Sequence, residues 1–255
     1  MQWGDEVIVL GVRGFGEASA ILELMTAERG RQLGVVRGGR SKRLAPVLQP
    51  GNRVAATWRA RLDDQLGVFT VEPVHLRAAA IIDRPLALFA LQVLVGHLRL
   101  LAERESHQGL HDAAEAAMAG FAAAAAPEPV DIGTFMARFE LALLDESGFG
   151  LDLSRCAVTG ATEGLVFVSP RSGRGVSAEG ARGYEERLLP LPGLLTGGRG
   201  ANDAASALED AFRLTGHFLD RDVYAPRGLE EPAARREFVL RLRRALERAP
   251  GDHFS

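Results

Sequence analysis

Short apolar runs separated by glycine and proline occupy the first part of the chain, over residues 6–13, 19–26, 31–37, 52–61 and 66–75. These runs are rich in Val, Ile, Leu and Thr, and runs of this length bounded by turn residues are typical of β-strands. Five consecutive short strands with hairpin-like spacing predict a small barrel. The OB-fold is a five-stranded barrel of this kind, so it is the expected architecture.

The fourth run alternates, and the alternation assigns its two faces. Successive side chains of a strand point to opposite faces of the sheet. One face therefore carries Arg53, Ala55, Thr57, Arg59 and Arg61, and the other carries Val54, Ala56, Trp58 and Ala60. We expect the arginines to face solvent and Trp58 to point into the core. Phe15 lies in a glycine-flanked turn; we expect it to cap the barrel, with base stacking as the alternative.

The apolar period changes at Pro85, where a segment that is apolar nearly all round predicts a central buried helix. Further helices are predicted over residues 113–126, 131–148, 204–221 and 231–248, with Asp131 as an N-cap. Residues 151–185 fit neither period. The pattern predicts an α+β protein, with a barrel domain over residues 1–78 and an all-α domain over residues 79–255 that contains an irregular insertion.

Composition excludes several classes of protein. The chain has 255 residues, 47% of them hydrophobic, which is enough for a sizeable core. No apolar run reaches the length of a membrane span, and the acidic N-terminus does not resemble a signal peptide. The single cysteine, Cys156, excludes an internal disulfide and fits a reducing compartment. We therefore expect a cytoplasmic protein that binds no membrane.

Positive charge is concentrated in one stretch. The net charge is −3, yet nine basic residues and no acidic one lie between Arg29 and Arg61. A local positive field in an acidic protein is typical of a surface that binds a polyanion, although a solvated arginine-rich surface is the alternative. The arginines of the last predicted helix are interpreted as a solvated face: Arg235, Arg236, Arg241, Arg243 and Arg244.

The segment Arg37-Gly38-Gly39-Arg40-Ser41-Lys42-Arg43 lies between the third and fourth predicted strands. Its glycines let the backbone approach a ligand closely, and its cations attract phosphates, so we interpret it as a flexible phosphate clamp. It lacks the Gly-Lys-Ser/Thr of a nucleotide-binding loop. Residues 11–16 lack the helix that a dinucleotide fingerprint requires. With no catalytic constellation elsewhere, we expect a protein that is not an enzyme, and a nucleotide-using enzyme is the minor alternative.

Several short motifs resemble the RecO family of bacterial recombination mediators, in the same order along the chain. They are Gly16-Glu17, Ile21–Thr26, Val35-Val36-Arg37-Gly38, Leu48-Gln49-Pro50-Gly51, Leu141-Ala142-Leu143-Leu144, Gly148-Phe149, Cys156-Ala157-Val158-Thr159-Gly160 and Phe167-Val168-Ser169-Pro170. The resemblance implies an N-terminal OB domain and a helical C-terminal domain. It also implies binding of single- and double-stranded DNA, strand annealing, and help in loading RecA onto DNA covered by SSB, through RecR and the SSB C-terminal tail, at the nucleoid.

The chain departs from the family at its zinc site. Many members hold a structural zinc with four cysteines, and the matching positions here are Cys156, Thr159, Ser177 and Gly180. A tetrahedral site needs four good ligands, so we predict that no zinc is bound and that no other cofactor is needed. Packing of Leu165, Phe167 and Val176 is then expected to hold the segment together.

The sequence therefore predicts a DNA-binding mediator whose affinity comes from phosphate contacts. The candidate residues are Arg31, Arg37, Arg40, Lys42, Arg43, Arg53, Arg59 and Arg61. Such binding ignores base sequence and weakens with salt. The alternative is a protein-binding adaptor, in which an SSB tail or RecR docks on the helical domain and DNA affinity is secondary.

Overall fold

The computed structural model describes residues 1–62, 65–197 and 203–248. By its contacts the chain divides into two compact units, Met1–Pro127 and Glu128–Ser255. The first unit thus includes the helices that follow the strands. The last strand of this unit ends at His75, and the domain boundary predicted between residues 78 and 79 stays a prediction.

Five strands form the beginning of the first unit: β1 (Gln2–Phe15), β2 (Ser19–Thr26), β3 (Gly30–Val36), β4 (Arg53–Arg59) and β5 (Val68–His75). They close into a barrel in the order β1-β2-β3-β5-β4. Neighbouring strands are antiparallel except β3 and β5, which are parallel. The five predicted strands are confirmed, with ends that differ by a few residues.

The interior of the barrel follows the alternation predicted for β4. Val54, Ala56 and Trp58 are buried, and the Trp58 indole N–H donates to the Leu66 carbonyl at 3.1 Å. Trp3 stacks on Trp58 with ring centroids 6.1 Å apart. The core position of Trp58 is confirmed, and this ring offers no face to a base.

Three helices complete the first unit: α1 (Arg77–Ile81), α2 (Pro85–Leu98) and α3 (Gln108–Ala122). As predicted, α2 begins at Pro85 and is buried along most of its length. Glu115 on α3 pairs with Arg77 of α1 and with Arg53 of β4, at 2.5 and 2.9 Å. These ion pairs join α1 and α3 to the barrel within the first unit.

The second unit begins with α4 (Pro129–Glu146). This helix starts two positions before Asp131, so Asp131 lies in its first turn and Glu128 is the N-cap. Proline suits the first helical position because its fixed φ is helical and its missing N–H has no partner there. The expectation that Asp131 caps the helix is therefore wrong.

A small sheet lies in the irregular insertion and just beyond its C-terminal end. Strands β6 (Leu165–Val168), β7 (Gly175–Ser177) and β8 (Leu189–Pro190) form it in the order β7-β6-β8, all antiparallel. The segment that was predicted to be irregular thus contains strands, which are too short to leave a periodic signal in the sequence. The packing expected from Leu165, Phe167 and Val176 is confirmed, since these residues surround the buried Cys156.

Three further helices follow: α5 (Gly193–Thr196), α6 (Ala204–Phe218) and α7 (Ala233–Arg248). A π-helical turn over Leu219–Tyr224 extends α6. Phe238 and Leu242 of α7 are buried and belong to the core of this unit. None of the helices in the three described ranges is both long and apolar enough to cross a bilayer.

Arg235 of α7 does not face solvent, contrary to expectation. Its guanidinium binds Glu140 of α4 through two bonds of 2.8 Å and binds Glu231 at 2.5 Å. It also donates to the Phe212 carbonyl at 3.0 Å. Burial disfavours the charge, but Glu140 reverses this effect and raises the pKa of Arg235. The residue is a buried cation that is held by two carboxylates.

Candidate nucleic-acid interface

Two of the predicted DNA-binding residues are held in ion pairs inside the first unit. Arg31 binds Glu23 at 2.5 Å, and its Nε donates to the Leu101 carbonyl at 3.1 Å. Arg53 binds Glu6 at 2.8 Å in addition to Glu115. Both guanidiniums are thus neutralised by carboxylates of the same unit.

The other predicted cations are exposed, and within the described residues none of them forms an ion pair. They are Arg37, Arg40, Lys42, Arg43, Arg59 and Arg61. Arg40 donates to the carbonyls of Gly16 and Glu17, at 3.2 and 3.3 Å. Carbonyl partners position the guanidinium without cancelling its charge. The structure therefore leaves these cations available to an anionic ligand.

The segment over residues 37–51 is built of successive turns that are fixed to the barrel. Gly38 has a φ of +66°, and a Cβ on Gly39 would lie 2.8 Å from that of Ala20, so both positions favour glycine. Farther along, Val47 and Leu48 are buried in the barrel core. These apolar side chains anchor the segment beyond the predicted clamp, and the flexibility expected of residues 37–43 stays a prediction.

Arg13 extends this cationic surface and lies outside the predicted stretch. It is exposed on β1, and within the described residues it has no ion-pair partner. Arg13 and Arg40 line the same cavity of about 450 Å³, between β1 and the 37–51 segment. Sequence reasoning missed it because it considered only the acid-free window that starts at Arg29.

Phe15 lies at the end of β1, two residues beyond Arg13. Its side chain is 49% exposed, so the expectation that it caps the barrel is wrong. The turn that follows it supplies the carbonyls that hold Arg40. An exposed ring is thus placed next to unpaired cations.

The strand register brings Arg59 to the same outer face as the end of β3. Val35 pairs with Val68, and Val68 pairs with Arg59. Two strand spacings separate Val35 from Arg59, which is about 10 Å. Since Arg37 follows β3 directly and both arginines are exposed, the register places them on the outside of the same part of the barrel although they are far apart in sequence.

The four positions that match the family's zinc cysteines come together around the sulfur of Cys156. The amides of Thr159 and Ser177 donate to Sγ at 3.4 and 3.2 Å, and the Ser177 hydroxyl donates at 3.3 Å. A Cβ on Gly180 would lie 2.8 Å from the same sulfur. Hydrogen bonds to sulfur thus hold the segment closed.

These residues do not fit zinc. One thiol, two hydroxyls and a glycine fall short of the four ligands that a structural site requires. Within the described ranges no three His, Cys, Asp or Glu side chains are grouped to hold a metal ion. Burial acts to raise the pKa of Cys156, but the hydrogen bonds from Ser177 and Thr159 lower it to about 6.

Comparison with known proteins covers nearly the whole chain. Two family models match, described as "Recombination protein O N terminal" over residues 1–77 and "Recombination protein O C terminal" over residues 97–230. A protein named DNA repair protein RecO from Chelativorans sp. (strain BNC1) is 54% identical over 246 residues, covering 96% of this chain and 97% of its own.

Proteins of the same name give similar figures in two other bacteria. The one from Mesorhizobium japonicum is 50% identical over 96% of this chain and 94% of its own. The one from Sinorhizobium medicae is 48% identical over 99% of both chains. Each relative thus aligns with both compact units.

Proposed function

This chain belongs to the RecO family of DNA repair proteins, and on that premise we propose that it is a non-enzymatic mediator of recombination and repair. It binds single- and double-stranded DNA without base specificity and anneals complementary strands. With RecR and the SSB C-terminal tail as partners, it assists the loading of RecA onto SSB-coated DNA.

The observation that carries the proposal is the set of exposed, unpaired cations around the 37–51 segment. A protein with a net charge of −3 repels DNA in general, so binding requires a surface where positive charge exceeds negative charge. Arg37, Arg40, Lys42 and Arg43 supply that surface, with Arg13 beside them. Arg31 and Arg53 are assigned instead to holding the unit together, because their charges are already balanced.

The strand order supports the finer assignment of the barrel as an OB fold, a five-stranded barrel that commonly binds oligonucleotides. The glycine-rich residues 11–16 support the absence of nucleotide chemistry. They lie along β1 and the turn into β2, whereas phosphate binding by such glycines needs a following helix. We likewise propose that no zinc is needed, since hydrogen bonds to Cys156 close the segment.

Annealing follows from charge neutralisation. Cations on a fixed surface lower the repulsion between two phosphate backbones, and duplex formation then supplies the free energy. No hydrolysis is required, which agrees with an interface built from arginine, lysine and glycine.

Replacing Arg40, Lys42 and Arg43 together by alanine is expected to weaken single-stranded DNA binding and to flatten its salt dependence. Each phosphate contact contributes about 0.7 to the slope of log K against log salt, so the slope should fall by about 2. Fluorescence anisotropy of labelled DNA across a salt series measures both quantities.

A variant with the same change in net charge provides the control for this titration. Arg171, Arg182 and Arg187 are exposed in the second unit, and their replacement by alanine should leave the slope within error of the parent. If both triple variants lowered the slope equally, net charge alone would explain the effect. If the first variant bound and annealed like the parent, the proposed interface would be wrong.

Replacing Phe15 by alanine is expected to weaken single-stranded DNA binding by about 5- to 150-fold, because stacking on an aromatic ring contributes about 1–3 kcal/mol per base. Phe15→Trp should restore it. Phe149 is similarly exposed, at 41%, in the second unit and serves as the matched control. Equal binding by Phe15→Ala and the parent, at a salt concentration where binding is unsaturated, would exclude stacking here.

A further inference from the structure

A groove of about 790 Å³ lies on the outer face of the first unit, between the barrel and α2. Its strand side includes Ile21 and Leu33, and its helix side includes Leu88, Leu91 and Val95. These side chains make the groove largely apolar. The proposed DNA interface does not account for such a surface.

One edge of β1 beside this groove has no strand partner in the described structure. The pairing of β1 with β4 ends at Ile8 and Arg53, and Val9 then exchanges backbone hydrogen bonds with Gly51 and Asn52. After a β-bulge, residues 11–15 pair with β2 alone. An unpaired edge presents N–H and C=O groups that can bind another extended chain.

The open edge lies between two cavities. Val12, Arg13 and Gln49 line both the apolar groove and the cavity of about 450 Å³ beside the 37–51 segment. A strand added to an edge points alternate side chains to opposite sides. One set would enter the apolar groove, and the other would enter the smaller cavity.

The charged side chains that line the groove indicate whether its ligand is acidic or basic. Its lining carries the guanidiniums of Arg13, Arg31 and Arg99 against one carboxylate, that of Glu23. Arg31 and Arg99 both bind this carboxylate, at 2.5 and 2.8 Å. Glu103 also pairs with Arg31, at 3.5 Å, so three positive charges face two negative ones. This excess of one, together with Arg40 in the lining of the smaller cavity, favours an acidic ligand.

We propose that an extended, acidic segment of a partner protein, with apolar side chains at alternate positions, binds here as an added strand along residues 11–15. This mode is β-strand addition, in which main-chain hydrogen bonds give affinity and side-chain pockets give specificity. Nucleic acid has no amide backbone to pair with the edge and gains little from an apolar lining. The inference goes beyond the proposed DNA binding and does not rest on it.

The test uses the full chain and a fluorescein-labelled peptide that alternates aspartate and valine. Gly96 of α2 lines the groove, and a Cβ added there would meet no atom within 4 Å. Gly96→Phe should therefore fold normally, fill the groove and weaken peptide binding by about tenfold or more, a cost of at least about 1.4 kcal/mol. Gly109 of α3 is equally open but lies outside the groove lining, so Gly109→Phe should bind like the parent.

Two modified peptides test the strand geometry and the charge. Because alternate amides of a strand face opposite sides, N-methylation of one alternate set should abolish binding, and methylation of the other set should not. A lysine-for-aspartate peptide should bind far more weakly. Equal binding of the two methylated peptides, equal binding of the lysine peptide, or no saturation by about 1 mM would overturn the proposal.

Two further outcomes would assign the groove to another ligand. If DNA displaces the peptide and Gly96→Phe weakens DNA binding equally, the groove is part of the nucleic-acid interface and the proposal is wrong. If Gly96→Phe abolishes a concentration-dependent dimer, the occupant is a second copy. Lys42 and Arg43 line neither cavity, so the Lys42/Arg43→Ala variant should weaken DNA binding but bind the peptide like the parent, which separates this result from failure of the proposed function.

Discussion

Replacing Arg235 by methionine is expected to lower the free energy of unfolding of the second unit by about 3–5 kcal/mol. The side chain of Glu140 is fully buried and that of Arg235 is 5% exposed, so removal of the guanidinium leaves a carboxylate without its cation. Native-state hydrogen exchange of the peptides that cover α4 and α7, in a series of urea concentrations, measures the loss. Trp3 and Trp58 both belong to the barrel, so tryptophan fluorescence reports the first unit separately.

Two comparison variants identify the cause. Adding Glu140→Met to Arg235→Met should recover most of the lost stability, because the unpaired charge is removed as well. Arg213→Met breaks an exposed pair with Asp210 and should cost less than about 1 kcal/mol. If the double variant were as unstable as the single one, the loss would reflect packing and not charge.

Replacing Glu115 by glutamine is expected to destabilise the first unit by about 2–3 kcal/mol, because it removes the anion shared by Arg77 and Arg53. Arg77 is only 7% exposed, and its guanidinium donates two hydrogen bonds to the Glu115 carboxylate. Urea denaturation followed by tryptophan fluorescence reports the change. Glu72→Gln, at an exposed position on β5, is the control and should stay within about 0.5 kcal/mol of the parent.

The difference in stability between the parent and Glu115→Gln should depend on pH. Burial acts to raise the pKa of Glu115, but Arg77 and then Arg53 outweigh it and hold the pKa below its ordinary value of 4.5. A lowered carboxyl pKa stabilises the folded state above the unfolded value, and this stabilisation is lost as pH falls through the folded value. The gap between parent and Glu115→Gln should therefore be full above pH 4.5 and shrink in more acidic solution. A constant gap would contradict the ion-pair explanation.

The local pattern of apolar, polar and glycine residues was sufficient to predict the strands of the barrel and the inward side of β4. The period of two in β4 placed Trp58 inside, and the turns around glycine delimited five strands. By contrast, no local pattern indicates which carboxylate pairs with which arginine. Glu115 lies 62 residues from Arg53, and Glu140 lies 95 residues from Arg235. For this reason Arg53 was predicted to bind DNA and Arg235 was predicted to face solvent.

The candidate interface shows the same division. The acid-free window contained most of the exposed cations of the candidate interface, because charge density is visible in composition. Arg13 lies outside that window. It comes close to these cations only because β1 runs beside the 37–51 segment in the folded protein. The β6–β8 sheet was missed because its strands are too short to show a period, and its hydrogen bonds to Cys156 depend on residues that no spacing rule connects.

The anchoring of the 37–51 segment has a consequence for the shape of the nucleic acid it accepts. With Leu48 buried in the barrel and the backbone hydrogen-bonded in turns, the backbone that carries the cations is anchored before any ligand arrives. The ligand must then supply the adjustment. A single strand can bend its backbone to place phosphates against the anchored 37–51 segment, whereas a duplex offers phosphates at fixed intervals. In the proposed interface, the segment therefore favours single-stranded DNA over duplex DNA.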